Sequence, residues 1–498
     1  MQMGRAQEQD TWSKETGYIW SMIGSAVGFA NILSFSALCY RNGGGAFLIP
    51  YILAHLIVGL PMLFLEGIIG QHTKLPTVSA MGNVAGNQGK IFGWIAVLAC
   101  ATIGGFYMVL TGFSVAYTYF SAAGSIGADT AYFFKNSFLH DSGSITRFGG
   151  LAVGVFISTM IVAIFSWAVL ARNIRSGVEK LCTIFLPLLA LMIGVFCVAT
   201  WFLPGVWMGV YHYLVPDFSR LADWTLWRDV FGQVFFSLSL GLGIVTGYSR
   251  HNPRNFSIPR AMCKVAVGDF LISFVSGLAI FGCIGFMSTK SGVAFSDLLS
   301  SDSAFEIGFV IFPMILAQFG EVASRIIGPL FFFCIFIAGV TGVFSIAESV
   351  AGNIEVEFNK SRRVSVAIAM ALISCLAIPF CMGNGQHIIG AMAPMVLGNV
   401  MLIGGFAEII LFIFLSKAIS RDGIWYNKSG GRTLVYRALC FCVLPLFMLI
   451  FLGALYQEIA SGVHINELVR WIWFALVIGI SAVLAYKKKS VPVFSENN

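Results

Sequence analysis

Charge is scarce in this 498-residue sequence: Asp, Glu, Lys and Arg make up 11% of it, against 58% hydrophobic residues. A water-soluble chain could not cover that much apolar surface, so a polytopic all-α membrane protein is implied. Eleven cysteines are present, but no Cys-x-x-Cys occurs among them. That excludes ribbon-type zinc and dithiol motifs and leaves the cysteines as small buried hydrophobes. No nucleophile–base pair or metal-ligand spacing stands out, which argues against an enzyme. No low-complexity tract or soluble domain interrupts the chain, and the opening MQMGRAQEQDTWSKET is polar and reads as uncleaved. The MG start lacks the Ser or Thr of an acylation motif. The net charge of +7 acts through its placement around a lipid bilayer and implies no nucleic-acid partner.

What the chain does have is apolar runs. Twelve are long enough to span a bilayer, near 17–40, 46–70, 91–120, 150–171, 181–203, 230–249, 262–287, 325–353, 364–382, 390–416, 434–457 and 468–486. An even count places both termini on one side. Of the 30 Lys and Arg, only Arg41, Lys135, Arg147, Arg220, Arg228, Lys290, Arg325 and Arg470 fall in the segments then assigned outside. Both termini are therefore expected in the cytoplasm, with the protein in an inner (plasma) membrane. The longest connections, 121–149, 204–229 and 288–324, would lie outside.

The first run contains SMIGSAVGFANILSF, Ser21 to Phe35. Gly24, Ala26, Gly28 and Ala30 leave little side chain along it, and Asn31 puts an amide at membrane depth. Two readings fit: a small-residue packing face, or a broken helix whose exposed backbone binds an ion and a small solute. The sixth run carries a second glycine-interrupted stretch, FFSLSLGLG, Phe235 to Gly243. Five spans separate the two, and paired interruptions of this kind point to an inverted-repeat transporter with a midplane site.

Longer motifs sharpen this. GSAVGFANILSF, then RNGGGAFLIPY (Arg41–Tyr51), GLPMLFLEGIIGQ (Gly59–Gln71), QVFFSLSLGLG from Gln233 and IAGVTGVFSIAE (Ile337–Glu348) occur in that order. Together they resemble the neurotransmitter:sodium symporters. The resemblance implies a LeuT-type fold of 12 transmembrane helices, with a first five-helix repeat over 17–203 and an inverted second over 204–418. Two further spans would occupy 419–487, flanked by cytoplasmic segments 1–16 and 488–498. It implies sodium-driven import of a neutral amino acid, without an organic cofactor. Homo-oligomerisation is left open.

The same resemblance implies sites. A first sodium would lie among Ala26, Asn31, Ser237 and Asp269, where the family commonly has Asn in place of Asp269. An ionised group inside a span is costly, so Asp269 should have a partner. A second sodium would use Gly24, Val27, Ala338 and Thr341, but Gly342 stands where a further ligand is usual. The substrate carboxylate would meet backbone N–H groups near Phe29 and Ala30 and the hydroxyl of Tyr107, in GGFYMVL. Phe236, Ile103, Leu242, Val343 and Ile346 would supply apolar walls, with Ser237 and Ser239 at the amino end. Gly28 replaces the Asp of monoamine carriers, which favours a substrate bringing its own carboxylate. Tyr51, Gln233, Ser237 and Ser273 match an anion site, yet Asp269 lies one helical turn from Ser273. A fixed carboxylate there favours chloride independence.

The gates depart most from the family pattern. Its extracellular Arg and acid read Ser34 and Ala393, so the outer gate would close on Tyr107 and Phe236. Trp12 matches the inner latch, but Gln9 and His251 replace its usual Arg and Tyr. Glu66 and Glu408 would make structural hydrogen bonds to neighbouring helices. Two other functions share the pattern: a proton-coupled carrier with Asp269 titrating, and an amino-acid sensor that does not transport.

Overall fold

The structure, a computed structural model, describes residues 11–295, 298, 307–317, 320–416, 435–460 and 464–487. Gln9, the 488–498 tail and the whole 417–434 connection lie outside these residues. The described elements are helical: α1 (Glu15–Ala26), α2 (Ala30–Arg41), α3 (Gly45–Thr73), α4 (Thr77–Ala123), α5 (Val153–Leu170) and α6 (Arg175–Thr200). They continue as α7 (Val206–Leu214), α8 (Trp224–Ser237), α9 (Ile244–Ser249), α10 (Ile258–Ser291) and α11 (Ile307–Ala317). The last five are α12 (Ser324–Phe358), α13 (Arg362–Cys381), α14 (Gly385–Leu415), α15 (Val435–Gly453) and α16 (Ile465–Tyr486).

Ten of these are each long and apolar enough to cross a membrane, and the bent pair α1 and α2 makes an eleventh. The expected sixth span is present as α8 and α9, of 14 and 6 residues, neither of which could cross alone. The third begins earlier than its apolar run. Ala85 (φ −126°) and Gly86 (φ +58°) break α4, so its first residues form a separate turn of helix before the span. Central and peripheral helices differ in burial: 94% of the most apolar window of α4 and 83% of that of α12 are buried, against 22% for α15 and α16. The outer helices keep apolar faces turned outward, as lipid contact requires. That corrects one expectation. Cys263, Cys375 and Cys442 are exposed rather than buried; all three lie on outward faces of spans, where a thiol is as acceptable as an alkyl group.

The two interruptions have local causes. At the first, Val27 turns extended (φ −79°, ψ 114°), and α1 and α2 meet at 55°. The Asn31 side chain accepts the Gly28 N–H at 2.9 Å, capping the start of α2. At the second, Ser239, Gly241 and Gly243 all take positive φ between α8 and α9. A Cβ on Gly241 would lie 2.2 Å from the Met401 carbonyl, so no larger residue fits. The freed backbone is satisfied by protein: Gly241 N–H donates to Glu66 Oε1 at 2.8 Å, and Ser349 Oγ donates to the Gly243 carbonyl at 3.2 Å. Glu66 thus makes the structural bond expected of it, with Glu408 packed beside it.

Candidate functional site

The interruptions face each other across a small cavity of about 20 Å³. Its lining includes Ala26, Ala30, Ile103, Tyr107, Phe236, Ser239, Leu242 and Ile346, all expected from the sequence, and Ser25, Ile244, Gly342 and Ser345, which were not. Phe29, Ser237 and Val343 lie just behind the walls, buried. Depressions of 390–530 Å³ elsewhere are lined by aliphatic and aromatic side chains on the lipid-facing surface and carry no convergent polar groups. The small cavity is where the chemistry lies.

Tyr107 organises one end. Its hydroxyl accepts the Phe29 N–H at 3.3 Å, and its ring meets Phe29 edge-on at 5.1 Å between centroids. Having accepted there, the hydroxyl still has its own hydrogen to give. The start of α2 adds the positive end of a helix dipole, which suits a carboxylate. Gly28 and Gly342 make room for this tyrosine. A Cβ at Gly28 would fall 1.8 Å from Tyr107 Oη, and one at Gly342 would fall 2.7 Å from Tyr107 Cε1. The Asp of monoamine carriers therefore could not stand at Gly28 with Tyr107 in this position.

A dense polar cluster lies behind the cavity. Asn31 Nδ2 is 2.7 Å from Asp269 Oδ1, 2.8 Å from Ser273 Oγ, 2.9 Å from Ser237 Oγ and 3.4 Å from the Asp269 carbonyl. An amide NH₂ has two hydrogens for these four oxygens. Ser237 gives its hydrogen to Asp269 Oδ1 at 2.7 Å, and Ser273 gives its own to the Asp269 carbonyl at 3.0 Å. The oxygens of Ser237, Asp269 and Ser273 thus converge on one point, held here by the Asn31 amide nitrogen, while Asn31 Oδ1 faces Gly28. Hard oxygens gathered in this way are the type that suits a sodium ion. The second expected group is also assembled. Thr341 Cβ lies 3.2 Å from where a Gly24 Cβ would stand, Ala338 O lies 3.7 Å from that of Gly28, and Val27 is fully buried between them. Thr341 Oγ1 turns back to Ile337 O and Ala338 O, each at 3.1 Å.

Asp269 has a partner that sequence reasoning missed. His55 Nε2 lies 2.9 Å from Asp269 Oδ2, with both residues buried. His55 Nδ1 is 3.2 Å from the Tyr51 carbonyl, which can only accept, so Nδ1 carries a hydrogen. The Nε2–Oδ2 contact then needs a second one, from either side. His55 is thus the buried partner that a carboxyl at this depth requires. The signal was available: His55 is four residues from Tyr51 and stands alone in an apolar run.

The residues matched to an anion site all bond to protein groups. Gln233 Nε2 donates to the Ala30 carbonyl at 2.6 Å, and its Oε1 accepts from Ser34 at 3.2 Å. Tyr51 Oη and Ser273 Oγ are 3.3 Å apart. Ser34 thus ties α2 to α8 by a neutral bond where the family commonly has a charge. On the side of the N-terminus, Trp12 Nε1 donates to the Tyr248 carbonyl at 3.0 Å. Beside it Arg362 grips Glu348 with two bonds of 3.1 and 2.9 Å, and Arg250 and His251 approach the same carboxylate at 3.6 Å.

Two broken spans enclosing a small cavity, with the Tyr107 hydroxyl on its wall and a buried polar cluster behind, are the arrangement of a solute carrier of the LeuT fold. Family comparison agrees. Residues 9–127 and 122–494 match the model of the sodium:neurotransmitter symporter family, and the chain belongs to it. It is 34% identical over 437 residues to an uncharacterized sodium-dependent transporter of Methanocaldococcus jannaschii, covering 85% of this chain and 88% of that one. It is 26% identical over 488 residues to the sodium-dependent dopamine transporter of Bos taurus, covering 89% and 68% of the two chains. The crystal structure of MhsT in complex with L-phenylalanine superposes with a TM-score of 0.78 at 23% identity, over 89% of this chain and 99% of MhsT.

Proposed function

We propose that this protein imports a neutral, largely hydrophobic α-amino acid together with sodium, by alternating access across an inner membrane with both termini in the cytoplasm. The observation that carries this is Tyr107: its spare hydroxyl hydrogen and the start of α2 lie beside a cavity whose other walls are mainly apolar, with three serines among them. A carboxylate on an apolar body matches that distribution. Phenylalanine in MhsT, of the same fold, is such a ligand. Ala26, Asn31, Ser237 and Asp269 would hold one sodium, and Gly24, Val27, Ala338 and Thr341 a second. Bound there, sodium supplies the charge that draws α1, α2, α8 and α10 together around the substrate. Asn31, whose Oδ1 caps α2, links the ion cluster to the substrate's carboxylate end. Tyr107 and Phe236 would part to admit substrate on one side, and the Trp12 and Glu348 contacts would separate on the other.

Chloride is not required in this reading. Ser237, Tyr51 and Ser273 have already placed their hydrogens on protein acceptors or on each other, and Gln233 gives one of its two amide hydrogens to Ala30.

The test is equilibrium binding of tryptophan and tryptamine, and of leucine and isoamylamine, to the purified protein in sodium and in choline. The amines should bind at least about fivefold more weakly, because leaving the Tyr107 hydroxyl hydrogen unpaired costs about 1–3 kcal/mol. Sodium should strengthen amino-acid binding. Equal affinity within each pair, or no effect of sodium, overturns the proposal.

A further inference from the structure

The cavity carries one polar group for which the apolar-substrate reading has no use. Ser25 lies in the last turn of α1, is 7% exposed and lines the cavity. Its Oγ has no hydrogen-bond partner among the described residues. The neighbouring hydroxyls differ. Ser239 Oγ donates to the Ser25 carbonyl at 3.1 Å, and Ser345 Oγ donates to the Gly342 carbonyl at 2.9 Å. Both have given up their hydrogens to the backbone, whereas Ser25 keeps a donor and its lone pairs. A buried hydroxyl left unpaired is destabilising, and alanine would have filled the same place at no such cost.

Its position narrows the ligand. Ser25 is on α1, on the other side of the chain break from Ala30, and lines the same cavity as the Tyr107 ring. Ile103, Leu242, Ile244 and Ile346 supply aliphatic wall to the same small cavity. An ammonium group has better partners nearby, in the last carbonyls of α1, where the negative end of the helix dipole lies. A hydroxyl that can both give and accept, set among aliphatic side chains, suits a single neutral polar group at the tip of an apolar side chain.

We propose that Ser25 is a specificity-determining residue, which selects neutral amino acids whose otherwise apolar side chain ends in one hydrogen-bonding group, of the tyrosine or tryptophan kind, over wholly apolar ones of the same shape. This rests on the amino-acid reading above and narrows it. A site built to pair a polar group discriminates against the isostere that lacks it, because the protein group is then left unpaired as well.

The experiment measures affinities of the purified full chain, in sodium, for tyrosine, phenylalanine and leucine, in the parent and in Ser25→Ala. Thermal unfolding of both proteins without amino acid accompanies it. The parent should prefer tyrosine to phenylalanine by about five- to tenfold, the size of one hydrogen bond. Ser25→Ala should bring the ratio to one by weakening tyrosine. Its melting temperature without substrate should not fall, because the lost hydroxyl has no partner to lose. A parent that does not distinguish tyrosine from phenylalanine overturns the inference while leaving amino-acid transport standing. So does a Ser25→Ala variant that weakens all three ligands equally, which would place Ser25 on the ammonium. A fall in melting temperature with the tyrosine ratio intact assigns Ser25 a structural role instead. Failure of all three amino acids to bind the parent would overturn the transport reading and this inference together.

Discussion

Replacing His55 by Leu is the sharpest test of the ion cluster. Asp269 is fully buried. Its Oδ1 accepts from Asn31 and Ser237, both at 2.7 Å, whereas the contact of its Oδ2 is His55 at 2.9 Å. Leucine fills much of the imidazole volume, so the main loss is electrostatic: one oxygen of a buried carboxyl is stranded. Removing one partner of a buried pair costs about 3–5 kcal/mol. Adding Asp269→Asn removes the charge and leaves only an imperfectly bonded amide, which costs about 1–3 kcal/mol. The double variant should therefore be more stable than His55→Leu alone by roughly 2 kcal/mol, with the parent above both. Thermal unfolding in detergent with choline as the only cation gives this order without interference from bound sodium. Repeating the scan in sodium reads ion occupancy, since a ligand of the folded state raises its stability by mass action. Asp269→Asn should show the smaller sodium-induced rise. A His55→Leu protein as stable as the parent, or a double variant less stable than the single, would refute the pairing.

Thr341→Ala should weaken sodium dependence of uptake if the second ion is used; an unchanged sodium titration would leave coupling to the first cluster alone. Gly342→Ser, which by sequence would restore a missing ligand, should instead raise the apparent KM for amino acid, because its Cβ would press on Tyr107 at 2.7 Å; a gain in sodium affinity with KM unchanged would contradict this. Gly28→Asp should abolish amino-acid binding without conferring amine binding, since the new side chain would displace the Tyr107 hydroxyl, and measurable tryptamine affinity in that variant would count against the geometry. Replacing chloride by gluconate should leave uptake by the parent unchanged; a chloride requirement would show that the hydrogens of Gln233, Ser237, Tyr51 and Ser273 can be redirected to an anion.

The spans were legible because membrane burial writes itself into composition. Lipid leaves the backbone no partner but itself, and long apolar runs follow directly. The two breaks were legible for the complementary reason, since glycine and small polar residues at membrane depth need a justification other than lipid. What escaped was pairing between residues distant in sequence. His55 reads as one more residue of an apolar run until α10 brings Asp269 to it, 214 positions away. Arg250, Arg362 and Glu348 likewise look like separate interfacial charges, yet they close the N-terminal side where the expected latch residues are missing. Sequence reasoning assigned Asp269 a fixed negative charge and drew chloride independence from it. The structure gives that carboxyl a buried imidazole partner, and the bonds already made by Ser237 and Ser273 bear on chloride separately.

Gly28 and Gly342 show how an absence can mislead when read one position at a time. Along the chain they are two unrelated omissions, one of an acid that would bind amines and one of a ligand for sodium. In space they are one feature. The two missing side chains leave a slot between α1, α2 and α12, and Tyr107 occupies it, with its hydroxyl 1.8 Å from where one Cβ would stand and 2.9 Å from the other. The residue that would read the substrate's carboxylate is held in place by the same vacancies that removed the amine-binding acid and thinned the second ion site. Restoring either side chain alone therefore cannot restore the function it has elsewhere in the family, because each must first displace the tyrosine that the other glycine still accommodates.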